Sequence, residues 1–497
     1  MTTRLDKTSI ASAGTPVLGN QAGPVTGIIH LGLGNFHRAH QAWYTARAVD
    51  AEAGDWGILG VANRSRKVVD AMAAQDNLYS VLEISPQGQQ VDVVGIHRDT
   101  LVGDADTGHL LTALAAPNHR IVTLTITEAG YCQSPATGGL DTDHPGVAAD
   151  LAGNALPVTA IGRLAHGLAR RAAENGEPIT IASCDNMSSN GDATARLVRE
   201  FAEAAGLGDD VLTFLEEKVT FPNSMVDRIV PSTNQTYLDG AASVLGLDDQ
   251  AVVPAEPFTM WVMEDKFAGG RPAWDKVGAT VSDEVEAYEL VKLRLLNGTH
   301  SLLAYLGALD GRAIIPESRG QEFIEAAARA VLADEYLPSL TMPSALDAHD
   351  YIEQLFGRWS NTALGHKTSQ VGSDGSAKLV QRIPEPALRF LDAGKMPQHL
   401  ALTTAAWIAA TVPPAGFDPG EVAALIVDPA KDRLTELTAG ANGAADHAKI
   451  IMESGVFPAA LVEHDEFTAR VGEFTEIIAS KGIRAAADEA MATRTQV

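Results

Sequence analysis

Residues 27–40 read GIIHLGLGNFHRAH. An apolar, β-branched run ends at Gly32 and Gly34, and a helix-compatible segment follows. A strand that stops at two closely spaced glycines permits a tight turn and a close approach of backbone to a pyrophosphate, the opening of a dinucleotide-binding fingerprint. The third position of that fingerprint is His37 instead of glycine, so the loop taken alone fits an ordinary strand–helix turn equally well.

Outward from this loop the same alternation repeats. WGILGVA (56–62), RIVTLTIT (120–127) and ITIASCDN (179–186) read as strands between helical patterns. YSVLEIS (79–85) and VDVVGI (91–96) read as a hairpin around PQGQQ. Strands alternating with helices predict an α/β fold, a Rossmann-type, mostly parallel sheet with helices on both faces. From about Ser282 the pattern changes. DEVEAYELVKLRLLNGTHSLLAYLGALD (283–310) reads as a long helix interrupted at Gly298, and QEFIEAAARAVLADEY (321–336) and HLALTTAAWIAAT (399–411) continue the helical pattern. The expected organisation is a dinucleotide-binding domain over 1–285 and a mainly α-helical substrate domain over 286–497.

The net charge of −26 repels nucleic acid phosphates and anionic lipid, so neither is an expected partner. Two cysteines, Cys132 and Cys184, with no CxxC, exclude a disulfide framework and a cysteine-rich zinc site. The first twenty residues hold no apolar stretch of signal-peptide length, and no run reaches the ~18–20 apolar residues of a membrane span. A cytoplasmic protein is expected, as a monomer or small homo-oligomer.

Polar residues gather where the strands end, at Gly32–His37, Asn63–Lys67, Thr127–Glu128 and Asp185–Asn186. Ligands of open parallel sheets bind beyond those ends. The cofactor-binding candidates are Gly32, Gly34, Asn35, Phe36, His37, Arg38, Asn63 and Arg64, with Arg38 read as an anion binder near the cofactor phosphates. The second strand is followed by Asn63, Arg64, Ser65, Arg66 and Lys67, without the carboxylate that normally binds the adenosine ribose of NAD. Arginines there accommodate the extra phosphate of NADP, and Asn63 can serve the ribose; NAD is placed first and NADP kept open. His37 and His40 have metal-ligand chemistry but no adjacent glutamate of the HExxH kind, so no metal is expected.

Lys292, Asn297 and His300 stand at i, i+5 and i+8, within roughly a 140° arc of one helix at about 100° per residue. Glu289 lies one turn before the lysine. Leucines surround the group, and a lysine desolvated by such a wall loses basicity from its usual pKa of about 10.4 toward a useful general base. An ordinary amphipathic helix with its lysine laid along the apolar face fits the same letters.

Seven segments together are more specific: HLGLGNFHRAHQAWYT, TLTITEAGYC, SCDNMSSNG, FPNSMVDRI, EPFTMWVMEDKFAGGRPAWDKVGA, KLRLLNGTH and SDGSAK. In order and spacing, from about residue 27 to 380, the chain resembles the mannitol dehydrogenase family of long-chain polyol dehydrogenases. The resemblance implies a Rossmann-type domain, a helical domain, a substrate site drawing on both and no metal. It implies Lys292 as general base, Asn186 and Asn297 as donors to the substrate oxygen, and His300 as the group orienting the reacting hydroxyl. Glu289 and Glu128 match carboxylates that assist proton passage, and Asp227 and Lys378 match contacts to substrate hydroxyls. One position departs. Gln370 stands where mannitol dehydrogenases resemble one another in having an arginine, and with KLRLLNGTHSLLAYLG it looks closer to fructuronate reductases. The expected substrate is a sugar alcohol or sugar acid. Mannitol 2-dehydrogenase, D-mannitol to D-fructose, is the leading expectation and fructuronate reductase the alternative. Arabinitol dehydrogenase and a non-catalytic sugar sensor rank below them.

Overall fold

The first strand, β1 (Thr26–Leu31), carries the run that opens the glycine loop. Five more follow: β2 (Gly57–Ala62), β3 (His97–Val102), β4 (Ile121–Leu124), β5 (Ile179–Ser183) and β6 (Val219–Thr220). In this computed structural model, which describes residues 3–494, they form one all-parallel sheet in the order β3-β2-β1-β4-β5-β6. β2, β4 and β5 are buried at every residue, as strands covered on both faces must be. Alternation along the strands sends Ile28 and Ile58 into one core and Ile29, Leu31, Leu59 and Val61 into the other. The helix Gln41–Ala51 packs into the first core; Thr107–Ala115, Ala160–Glu174 and Asn190–Ala204 pack into the second. Strand order reverses between β1 and β4, and that reversal opens a crevice at the carboxyl ends.

The expected hairpin is present, but Tyr79–Ser85 pairs with Gly88–Val94, so the turn is only Pro86 and Gln87. Gly88, at φ +137°, supplies the backbone conformation that lets the second strand start three residues before position 91. A short antiparallel pair, Ser224–Asp227 with Met260–Met263, completes the region that carries Asp227.

The chain divides into two units, Met1–Glu286 and Ala287–Val497. The second is helical, and its centre is Gln398–Thr411, buried along its whole length between Thr299–Leu309 and Asp465–Lys481. The expected interruption at Gly298 does not occur. Val285–Val291 passes into a π-helical segment, Lys292–Gly298, and on into Thr299–Leu309. Gly298 keeps helical angles (φ −63°, ψ −52°), and a Cβ there would lie 2.4 Å from the ring and hydroxyl of Tyr336. The glycine admits an aromatic ring against the helix backbone and does not break the helix. No helix among the described residues is long and apolar enough to cross a membrane.

Candidate active site

A cavity of about 440 Å³ lies at the carboxyl ends of β1, β2 and β4, lined by Gly32, Asn63, Thr125, Thr127 and, on its far side, Asp104 and Arg163. Its two glycines differ. Gly32 sits at φ +105°, and a Cβ there would be 2.0 Å from the Thr125 carbonyl oxygen, so the protein itself requires glycine. A Cβ on Gly34 would meet nothing closer than 3.7 Å, yet its exposed backbone faces outward; the bare position leaves room for a ligand to approach. The loop is anchored by Gly32 N–H and Leu33 N–H, both donating to Val61 O at the end of β2 (2.9 and 3.0 Å). This cradle, at the switch point of a Rossmann sheet, fits a dinucleotide pyrophosphate.

The ends of β4 and β5 are tied by one carboxylate. Asp185 accepts from Ile126 N–H (2.9 Å), Thr127 N–H (3.0 Å) and the Tyr131 hydroxyl (2.8 Å). Burial pushes this carboxyl up, and the three hydrogen bonds oppose that shift. Thr127 is held at φ +68°, a left-handed conformation that costs a non-glycine residue energy unless its surroundings fix it. The clamp sets Glu128 and Asn186, both exposed, at the tips of neighbouring strands. Behind them Asn190 donates to Asp185 O (3.0 Å) and Ser224 O (2.8 Å), joining this corner to the strand that ends in buried Asp227.

In the helical unit, Lys292 and Asn297 bracket the π-helical segment and His300 follows in the first turn of the next helix. π-Helical i→i+5 bonding stacks positions five apart, so Lys292 and Asn297 share one face more closely than α-helical spacing allows. The Asn297 carbonyl accepts from Arg382 Nη1 (3.0 Å) and Ser301 Oγ (3.2 Å). His300 is buried, and its Nε2 has no hydrogen-bond partner among the described residues. Burial, reinforced by the nearby His366, holds this imidazole well below its ordinary pKa, so it stays neutral near pH 7.

Residues 26–276 match the Rossmann domain of mannitol dehydrogenases, and residues 284–479 match their C-terminal domain. The chain belongs to the mannitol dehydrogenase family. It is 37% identical over 462 residues to the D-mannonate oxidoreductase of Escherichia coli (strain K12), covering 92% of this chain and 94% of that one. It is 39% identical over 385 residues to a mannitol 2-dehydrogenase of Cereibacter sphaeroides, covering 77% and 80%. Its fold superposes on Pseudomonas fluorescens mannitol 2-dehydrogenase in ternary complex with NAD and D-mannitol with a TM-score of 0.84, at 32% identity, over 98% of this chain and 99% of that one. As a member of the family it is an NAD(P)-dependent oxidoreductase acting on a sugar alcohol or sugar acid.

Several side chains expected at the cofactor make their contacts within the protein. Arg38 is buried, and its guanidinium donates to Gly34 O (3.3 Å), Asn35 Oδ1 (2.8 Å) and Ala251 O. Those three bonds let Arg38 brace the loop from behind. His37 is fully buried as well. It stacks on His30 with ring centroids 3.3 Å apart and meets His97 at 3.1 Å. Asn35 ties the loop to Pro231 O and Thr233 Oγ1, and half-buried Phe36 stacks on His40. His40 turns away to Met260 O (2.9 Å), so the two histidines do not share a site. Among the described residues no group of three or more His, Cys, Asp or Glu side chains is placed to hold a metal.

Asn63 and Arg64 are exposed beside the cavity. Sequence reasoning missed their partners. Asp104, just beyond β3, lines the same cavity, binds Arg163 (2.7 Å) and lies 3.8 Å from Arg64, while Arg163 also donates to Asn63 Oδ1 (3.3 Å). A carboxylate thus lies one strand away from the place where β2 lacks one, held between two arginines. Lys378 donates to Ser373 O (2.7 Å), and Gln370 is exposed on the short helix Thr368–Gly372.

Proposed function

We propose that this chain is a fructuronate reductase, interconverting D-fructuronate and D-mannonate with NAD. The observation that carries the substrate is the likeness to the D-mannonate oxidoreductase, 37% identity sustained over 462 residues and nearly the whole of both chains. Gln370, in place of an arginine that serves a polyol chain, supports the same reading. NAD is placed first because the mannitol 2-dehydrogenase on which the chain superposes is in complex with NAD.

Oxidising a secondary alcohol removes a proton from oxygen and a hydride from carbon. The nicotinamide ring, when bound, exchanges the hydride. Lys292 Nζ takes the hydroxyl proton, and in the reductive direction returns it to the ketone oxygen. The side-chain amides of Asn186 and Asn297 donate to that oxygen as charge develops on it; one such donor is worth on the order of 10²–10³ in rate. Neutral His300 offers its unpaired Nε2 to orient the reacting hydroxyl. Glu289 and Glu128 assist proton exchange with solvent, and Asp227, Lys378 and Gln370 receive substrate polar groups.

The test is a substrate panel with both NADH and NADPH: fructuronate, fructose, mannonate, mannitol and arabinitol. A kcat/KM for fructuronate at least tenfold above that for fructose, with NADH preferred, is the expected result. A higher value for fructose or mannitol would return the assignment to mannitol 2-dehydrogenase, which the superposition on the mannitol-bound enzyme favours.

A further inference from the structure

The most unusual electrostatic feature of the helical unit is a concentration of positive charge beside His300. His366, Arg382, Arg358 and Lys378 all act on that imidazole in the same direction. In a chain of net charge −26 such a cluster runs against composition. Asp374 is exposed and 4.0 Å from Lys378 Nζ. Asp428 is committed elsewhere, accepting from Ser376 N–H (2.8 Å), Ser376 Oγ (2.6 Å), Ala430 N–H (3.0 Å) and Trp407 Nε1 (3.2 Å).

The members of the cluster are not equally engaged. Arg382 holds Asn297 O and Ser301 Oγ (2.7 Å). Lys378 donates to Ser373 O at 2.7 Å and more weakly to Val371 O at 3.4 Å, leaving hydrogen-bonding capacity on an ammonium that carries three donors. The His366 ring makes no hydrogen bond to any described residue, and it meets the edge of the His300 ring at 5.1 Å. Its support is firm. His366 O accepts from Ile315 N–H (2.9 Å), Thr368 N–H donates to Ala313 O (3.0 Å), and Lys367 bridges to Ile314. A half-buried imidazole with free valences, fixed in place, one ring away from the group that orients the reacting hydroxyl and flanked by cations, has the attributes of a ligand contact.

The geometry points to His366 as the receptor of the substrate's carboxylate, with Lys378 supplying the compensating charge. Burial, with Lys378 and Arg358, holds His366 down to about 4, so before substrate arrives it is a neutral N–H donor. Burial and Arg382 likewise lower Lys378, which gains most from an anion. A ketose with a hydroxymethyl group in the carboxylate's place satisfies neither group as well, and sites built around polar partners discriminate strongly against analogues that lack them. The subsite rests on the sugar-acid reading above.

Wild type, His366→Ala and His366→Asp are compared by the ratio of kcat/KM for fructuronate to that for fructose, with thermal unfolding and NADH affinity measured alongside. The alanine variant is expected to lower the ratio at least tenfold, through the KM for fructuronate. The aspartate variant, which places a like charge at a partly exposed position, is expected to lower it further and serves if the alanine variant does not fold. A wild-type ratio of one or less overturns the sugar-acid reading and the subsite with it. A high wild-type ratio that both variants leave unchanged overturns the subsite alone. Equal losses on both substrates also overturn it, assigning His366 to the support of His300.

Discussion

Around the glycine loop, Arg38 is answered from within the protein by three acceptors and Asn35 by Pro231, Thr233 and Arg38, while His37 stacks on His30, meets His97 through Nε2 and leaves Nδ1 without a partner among the described residues. Around the lysine helix, buried polar atoms are left over: His300 Nε2, Thr299 Oγ1, Tyr336 Oη and Arg382 Nε have no hydrogen-bond partner among the described residues. Buried polar groups are normally paired, and those that are not call for an explanation. The contrast separates two tasks. The cofactor side offers a preformed backbone cradle whose rigidity comes from side chains behind it. On the helical side the unpaired atoms include His300 Nε2, which the reading proposed above gives to the reacting hydroxyl.

The sharpest way to break this contrast is Lys292→Ala. It is expected to lower kcat about 10²–10⁴-fold, the usual worth of a general base, while NADH still quenches protein fluorescence with unchanged affinity. Turnover within tenfold of wild type would sink the base assignment. The next effect lies on the cofactor side. Gly32→Ala forces a side chain into a left-handed conformation and against Thr125 O, and should destabilise the fold by about 1–3 kcal/mol in denaturant titrations. Gly34→Ala should leave stability within error and still weaken NADH binding. If both variants behaved alike, the division between a structural and a ligand-facing glycine would be wrong.

A smaller effect concerns the braces behind the loop. Burial lowers His30 to about 3 and holds His37 and His97 well below their ordinary value. The unfolded chain, with histidines near 6.5, therefore binds more protons below that pH. Stability from these groups is complete above about pH 6.5 and is lost as pH falls toward the folded values, by at most about 1.4 kcal/mol per pH unit for each proton taken up. Unfolding temperatures should drop between pH 7 and 5, and His97→Gln, which cannot protonate, should flatten that drop. An unchanged slope would place the acid sensitivity elsewhere. The smallest expected change is Gln370→Arg, a few-fold shift in kcat/KM toward mannitol, read from the same substrate panel.

The sheet was legible in the sequence because strands covered on both faces appear as continuous apolar runs, and the helical unit because its apolar periodicity persists past Ser282. Side-chain direction was not. Arg38 and His37 follow the glycines in the chain as phosphate ligands would, but the short helix Asn35–Ala39 turns both inward. Asp104 and Arg163 were invisible for another reason: their pairing joins residues 59 positions apart, and no local pattern announces it. The lysine helix was read with a regular 100° step, which groups Lys292, Asn297 and His300 within about 140°, and with Gly298 as an interruption; the π-helical segment brings Lys292 and Asn297 closer still and runs through the glycine.

That segment also makes the helix hard to improve. Relative to an ordinary helix it contains a surplus residue, so a one-residue deletion anywhere between Lys292 and Gly298 would restore regular winding and leave the flanking turns intact. It would also swing His300 through roughly 100° relative to Lys292. Thr299–Leu309 is buried at ten of its eleven residues, so the same rotation would turn packed side chains out of their places, and regular winding would be gained only at the expense of both the core and the site.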